Sequence, residues 1–427
     1  MSHTNFQNTR AFAQSLDLQD ELKNYQSEFE FPKVNGKKTI YFTGNSLGLM
    51  PKRAKKYVDD VMSDWANMAV EGHFYAEKPW WDYHERFSNP LSKIVGAKPS
   101  EVSVMNTLTV NLHMMMVSFY NPTATRFKII CEEKAFPSDQ YMLQSQVRFH
   151  GLDPKDVIVE VTRREGEHNL RNEDIIAKIN EVGGELALVL IGGINYYTGQ
   201  VLDMEAITKA GHAVGANVGW DLAHAAGNIE LQLHDWNVDF ACWCSYKYMN
   251  AGPGSVSGYF VHEKHHNKKL NRFGGWYGHN KERRFLMEPE FNPNEGALGW
   301  QSSCTGVLAM APYLASVEMF DEIGMTALMK KRDLITAYLE FVVEETAKET
   351  GTHLEIITPK DATERGSQLS VILHGEGKEL FHYLMKEGVI VDWREPAVIR
   401  LAPVPLYSTF EEMYEFGQIL KKGIQTT

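Results

Sequence analysis

The chain is poor in the features that mark a secreted, membrane-spanning or nucleic-acid-binding protein. Of 427 residues only four are cysteine (Cys131, Cys242, Cys244 and Cys304), each in or near apolar sequence. A disulfide framework is not expected, and reduced thiols suit this pattern. Basic residues are outnumbered, 43 Lys and Arg against 55 Asp and Glu, for a formal net charge of −12. That balance opposes a nucleic-acid or anionic-membrane surface. No apolar run approaches the roughly 20 residues that span a bilayer. The longest, 186–194, contains a glycine pair. The first residues lack the apolar core of a signal peptide, so a cytoplasmic location is the expectation. Internal repeats and low-complexity tracts are absent. Hydrophobic content of 43% and charged content of 23% are ordinary for a soluble globular protein. The length favours two domains of unequal size.

What is present is a regular alternation. Short apolar stretches at 127–131, 157–161, 186–191, 216–220, 238–243 and 258–261 read as strands, separated by helical or loop segments. That rhythm predicts a mostly parallel sheet with helices on both faces. Residues 11–30 read as an N-terminal helix, and Pro51 opens another through about residue 67. Residues 262–300 are loop-like, and 307–349 are helical. The remainder alternates strands and helices as a smaller α+β unit. The predicted division is 51–304 for the large domain, with 1–50 and 305–427 forming the small one.

Two polar clusters follow apolar strands: DLAH (221–224) and SYKY (245–248). Strand ends are where α/β sheets open onto their ligand crevice. An acid and a lysine placed there meet the needs of pyridoxal phosphate. The lysine carries the cofactor as a Schiff base, and the acid keeps the pyridine nitrogen protonated so that the ring accepts electrons. Lys247 alone could snorkel to water. Asp221 and His224 upstream, with the glycines of NAGPG (250–254) downstream, favour an active amine beside a bulky planar ligand. Asp221 could instead cap a helix, and His224 could be structural. Thr107 and Thr109 begin an apolar helical run, where exposed N–H groups form an anion site or threonine hydroxyls simply cap. Phe136 could cover a flat ring or pack in a turn. Arg400 sits in apolar sequence and could capture a carboxylate or pair internally.

Other matches carry less. HEKHH (262–266) satisfies a zinc-protease pattern, but it follows a strand and has Lys- and Asn-rich flanks, so no metal is expected. Cys242 and Cys244 have no second cysteine pair nearby and read as packing. GPGSVSG (252–258) misses the dinucleotide fingerprint by one residue.

The segments GNSLGL (44–49), NTLTVNLH (106–113), KAFPSD (134–139), YYTGQ (196–200), DLAHAAGN (221–228), HDWNVDFACWCSYKYMNAGPG (234–254) and IRLAPVPLY (399–407) resemble the kynureninase family over essentially the whole chain. The resemblance implies an α/β fold-type I pyridoxal-phosphate enzyme of the aspartate-aminotransferase superfamily. It implies a homodimer with active sites at the subunit interface. Lys247 would be the Schiff-base lysine and Asp221 the partner of the ring nitrogen. Leu108, Thr109 and Tyr246 would bind the phosphate, and Phe136 would stack on the ring. Ser138, Asp139 and His224 would share the cofactor pocket, and Trp276 would reach in from the neighbouring subunit. Arg400 would hold the substrate carboxylate, with Ser46 and His73 lining the substrate pocket. Two positions depart from the family. Gly192 stands where Ser is frequent, and Cys304 where Asn or Thr contacts the cofactor phosphate or the substrate ring.

The resulting expectation is hydrolysis of the Cβ–Cγ bond of L-kynurenine or 3-hydroxy-L-kynurenine, in tryptophan catabolism. Lys247 would remove the α-proton and Tyr246 would relay one to the alanyl fragment. The rivals are another fold-type I enzyme, a transaminase or cysteine desulfurase, and a non-catalytic protein retaining the fold. A desulfurase needs a cysteine on an exposed loop, which the sequence does not suggest.

Overall fold

Strands buried on both faces of a parallel sheet are near-continuous apolar runs, and the chain folds accordingly. The computed structural model describes residues 6–375 and 377–426. Seven strands form the central sheet: β1 (Val102–Met105), β2 (Lys128–Glu132), β3 (Ile158–Val161), β4 (Leu186–Gly192), β5 (Asn217–Asp221), β6 (Phe240–Trp243) and β7 (Ser257–Val261). Their order is β1-β7-β6-β5-β4-β2-β3, parallel except for β7, which runs against both neighbours. The six predicted strands correspond to β2–β7, and β1 is additional.

Helices cover both faces. The first are α1 (Arg10–Gln19), α2 (Lys52–Met68), α3 (Leu108–Phe119), α4 (Pro137–Phe149), α5 (Asn172–Val182) and α6 (Met204–Ala213). They are followed by α7 (Val307–Ile323), α8 (Met325–Thr350), α9 (Gly377–Lys386) and α10 (Phe410–Thr426). One face packs on α3 and α4 through Met115, Met116, Leu143 and Val147. The other packs on α2, α5, α6 and α7 through Val61, Ile175, Ile207 and Phe320. Phe119 of α3 stacks on Phe240 of β6 with centroids 4.8 Å apart, a pairing worth about 0.5–1.5 kcal/mol beyond its burial.

A second, antiparallel sheet holds β8 (Leu354–Ile356), β9 (Leu369–Leu373), β10 (Asp392–Arg394) and β11 (Val398–Leu401), in the order β8-β9-β11-β10. It shares a core with α8, α9 and α10. The N-terminal segment joins that unit: Ile40–Tyr41 pairs with Val389–Ile390, and Ala13 of α1 lies in the same core. The N-terminal helix is shorter than 11–30. It stops at Gln19 because the Asp20 carboxylate accepts from Leu22 N–H at 2.8 Å and turns the chain into a 3-10 segment, Lys23–Glu28. No helix among the described residues is long and apolar enough to cross a membrane.

The strand order positions the site. From β2 the chain moves outward to β3, then returns to place β4 on the other side of β2. Such a reversal opens a crevice beyond the carboxyl ends of the strands. Glu132, Gly192 and Asp221 are the last residues of β2, β4 and β5, and Lys247 follows the end of β6.

Candidate active site

A cavity of about 380 Å³ lies at those strand ends. Eleven of the sequence-predicted residues line it: Ser46, Leu108, Thr109, Phe136, Ser138, Asp139, Asp221, His224, Tyr246, Lys247 and Arg400. Asn45, Glu132, Tyr196 and Arg394 also line it and were not singled out from sequence; Cys244, read from sequence as packing, lines it as well.

Lys247 Nζ lies 3.0 Å from His224 Nε2 and 6.0 Å from the centre of the Phe136 ring. Burial, then the charges of Lys247 and Arg400, hold His224 well below the usual imidazole range. It is therefore neutral, and its Nε2 accepts from Lys247 Nζ. Asp221 ends β5 in register with Gly192 of β4 and Cys242 of β6. No helix follows it. Its carboxylate accepts from Ala223 N–H at 2.7 Å in a turn, so the helix-cap alternative does not apply. Asp139 interacts directly with Asp221. Burial and then the Asp221 charge drive Asp139 well above the carboxylate range, so Asp139 holds the proton that the pair shares. Burial also raises the Tyr246 phenol, which stays protonated at neutral pH.

The loop carrying Lys247 is clamped by the GNSLGL turn. Gly48 N–H donates to Tyr246 C=O at 2.7 Å, and a Cβ on Gly48 would lie 2.5 Å from the Lys247 carbonyl oxygen. Only glycine permits that approach. Arg400 on β11 is 1% exposed; it donates to Tyr196 C=O at 2.7 Å and pairs with Asp392, which also pairs with Arg394.

Pyridoxal phosphate fits these residues. No side chain caps the first turn of α3, so its N–H groups and Thr109 are available to a phosphate. Asp139 Oδ1 and His224 Nδ1, both on cavity-lining residues, are buried without hydrogen-bond partners among the described residues. A lysine, a carboxylate and an aromatic ring meet in one cavity.

Three predicted residues lie outside it. Trp276 is 43% exposed, 5.6 Å from Trp81, with Phe285 beside both. Cys304 is exposed, and its thiol interacts with Tyr277. The expectation that no cysteine occupies an exposed loop is thereby corrected: residues 302–304 form a loop ahead of α7 and leave this thiol at the surface. His73 packs edge-on against Trp80, and its Nδ1 lies 3.0 Å from the Val70 carbonyl oxygen. Its neighbour Phe74 contacts Trp81. These three residues thus border one exposed aromatic surface.

The HEKHH residues form no zinc-binding helix face. His262 caps the Lys264 N–H, and His266 Nε2 lies 3.0 Å from Val261 C=O. His262 stacks on His234 beside the buried Glu101, a group able to gather around an ion among the described residues, but its ligand atoms already share hydrogen bonds. Cys244 stays in the cavity wall, its thiol raised by burial.

The fold is similar to solved fold-type I structures. One is a C-DES variant with glycine covalently linked to its PLP cofactor, with a TM-score of 0.75 and 16% identity, covering 90% of this chain and 96% of that one. Another is the apo cysteine desulfurase of Thermococcus onnurineus, with a TM-score of 0.73 and 15% identity, covering 91% and 95%. In sequence, the kynureninase C-terminal domain family matches residues 328–420. The kynureninase of Flavobacterium johnsoniae is 72% identical, covering 98% of this chain and 99% of that protein. The kynureninase of Myxococcus xanthus is 50% identical over 97% of each chain. With that identity along nearly its full length, and a lysine, an acid and an arginine gathered where the sheet opens, the chain belongs to the kynureninase family.

Proposed function

We propose that the protein hydrolyses the Cβ–Cγ bond of L-kynurenine or 3-hydroxy-L-kynurenine, giving alanine and anthranilate or 3-hydroxyanthranilate. The observation that carries this is the meeting of Lys247, Asp221 and Arg400 in one cavity, in a chain 72% identical to a kynureninase. Arg400 comes from the second, antiparallel sheet and Asp221, Tyr246 and Lys247 from the strand ends of the central sheet, so the substrate sits between the two sheets. A cytoplasmic location and a place in tryptophan catabolism belong to the same reading.

Bound pyridoxal phosphate supplies an electrophilic carbonyl for the substrate amine and a ring that accepts electrons. Arg400, oriented by Asp392 and the Tyr196 carbonyl, holds the α-carboxylate. Lys247 Nζ, displaced by the substrate amine, takes the α-proton, and neutral His224 keeps it aimed. Asp221, steadied by the protonated Asp139, sets negative charge against the ring nitrogen. Water adds to the γ-carbonyl, so its oxygen ends in the aromatic carboxylate. Cβ leaves with the bonding electrons and collects a proton from the Tyr246 phenol, which recovers one from the O–H of the hydrated γ-carbon as that becomes the carboxyl group; Lys247 then returns the α-proton to Cα, completing alanine. The test is turnover of purified, cofactor-loaded protein with each kynurenine, with cysteine and with an amino-acid/keto-acid pair. Cleavage of a kynurenine alone is expected; release of sulfide or transamination as the main reaction would overturn the assignment.

The same reading makes the protein a homodimer. Phe74, Trp276 and Phe285 are exposed on an aromatic surface that borders the three predicted residues lying outside their own cavity, and a second subunit covering it supports this reading. Separately purified Lys247→Ala and Trp276→Ala proteins are expected to be weakly active or inactive. After subunit exchange, mixed dimers hold one intact site and regain activity. No gain on mixing, with sedimentation as an active monomer, would contradict the dimer.

His73 fixes a further expectation. An imidazole can bond a ring hydroxyl, and a site built to do so disfavours the analogue lacking it. The wild type is expected to prefer 3-hydroxykynurenine in kcat/KM, and His73→Phe to lower that preference about tenfold, the worth of one hydrogen bond. An unchanged ratio would remove His73 from the substrate pocket.

A further inference from the structure

Glu132 has no part in the scheme above, yet it ends β2 inside the cavity and is 6% exposed. Both its oxygens accept from the Gly192 N–H, each at a long 3.3 Å. No ion pair among the described residues includes it. A buried carboxyl without a cation is costly unless it is protonated or finds another partner. Its surroundings are acidic as well: Asp221 on β5, Glu160 on β3 and Asp139 on α4; of the cavity's cations, Arg394 and Arg400 are paired with Asp392, and Lys247 is the third. Burial, then the charges of Asp221 and Glu160, push Glu132 up to about 7 against the lowering pull of the backbone N–H groups it accepts from, so its carboxyl carries a proton, and a donor, over much of the neutral range.

Gly192 makes the room. A Cβ built there would stand 3.1 Å from Glu132 Oε1. A serine, the residue suggested for this position by resemblance, would put a hydroxyl beside that carboxyl. With glycine, the carboxyl itself faces the opening. The polar groups of pyridoxal phosphate are otherwise accounted for in the functional reading: the phosphate by the start of α3, the ring nitrogen by Asp221, the carbonyl by Lys247. The ring oxygen is the one polar group to which that reading assigns no residue.

We propose that Glu132 is a cofactor-binding residue whose carboxyl O–H holds the ring oxygen of pyridoxal phosphate across the opening left by Gly192. The inference rests on the cofactor assignment above.

The test is titration of apoprotein with pyridoxal phosphate, followed by tryptophan fluorescence and by visible circular dichroism of the bound cofactor. Glu132→Ala is expected to weaken Kd about tenfold, the worth of one hydrogen bond, and to reduce the visible dichroism. Glu132→Gln keeps a donor and is expected within about threefold of wild type. Adding Gly192→Ser to Glu132→Ala returns a hydroxyl to the same space and is expected to recover most of both signals. Glu132→Leu replaces the alanine variant if that does not fold. Wild-type affinity and dichroism in Glu132→Ala would overturn the proposal. So would a glutamine variant as weak as alanine together with no rescue by serine. A wild-type protein that binds no pyridoxal phosphate would instead overturn the functional reading on which the proposal rests.

Discussion

Lys247→Ala protein is expected to be colourless and inactive while keeping its fold. Among the described residues no other lysine lines the cavity, so nothing else can carry the cofactor covalently or take the α-proton. Turnover should fall by roughly 10⁴-fold or more, since a covalent attachment and a general base are lost together. Stability should barely change. The side chain's recorded hydrogen bond is to His224 at 3.0 Å, and a single such bond is worth about 1 kcal/mol net. Borohydride reduction of the wild type followed by peptide mapping should place the cofactor on residue 247. Label on another lysine would reject the assignment.

Asp221→Ala should separate catalysis from folding in the same way. In the proposed scheme the carboxylate sets charge against the ring nitrogen, and removing one such group typically costs about 10²–10³-fold in kcat. Alanine leaves the Ala223 N–H without its 2.7 Å acceptor, a loss of about 1 kcal/mol, but it also relieves the crowding of Asp221 against Asp139 and Glu132. The melting temperature should therefore move little while turnover collapses. An active Asp221→Ala enzyme with a lowered melting temperature would mean that the residue serves the turn alone.

Much of the site was legible because its chemistry sits at ends of apolar strands. Asp221 follows 216–220 and Lys247 follows 238–243, so one rule located both. Glu132 obeys that rule too, ending the stretch that begins at Lys128, but it is one of two adjacent glutamates and reads as the start of a solvated loop. Only burial distinguishes it from Glu133, which pairs with Arg163. Tyr196, Asn45 and Arg394 reach the cavity through tertiary packing, which periodicity cannot report. The strand β1 is no shorter than β3 or β6, but Ser103 breaks its apolar run and Asn106 follows it at once. The exposure of Cys304 was hidden for the converse reason: an apolar helix follows within three residues, yet the loop before it turns outward. Trp276 and His73 were placed by family resemblance, and the structure puts them on the aromatic surface rather than in their own cavity.

Hydrolysis at Cβ–Cγ is tested most directly by turnover of 3-hydroxy-L-kynurenine in water enriched in oxygen-18. Alanine and 3-hydroxyanthranilate should form in equal amounts, with one solvent oxygen in the aromatic carboxylate and none in alanine, and neither product should appear with Lys247→Ala. An aromatic acid free of solvent oxygen, or alanine and aromatic acid in unequal amounts, would contradict the hydrolytic assignment.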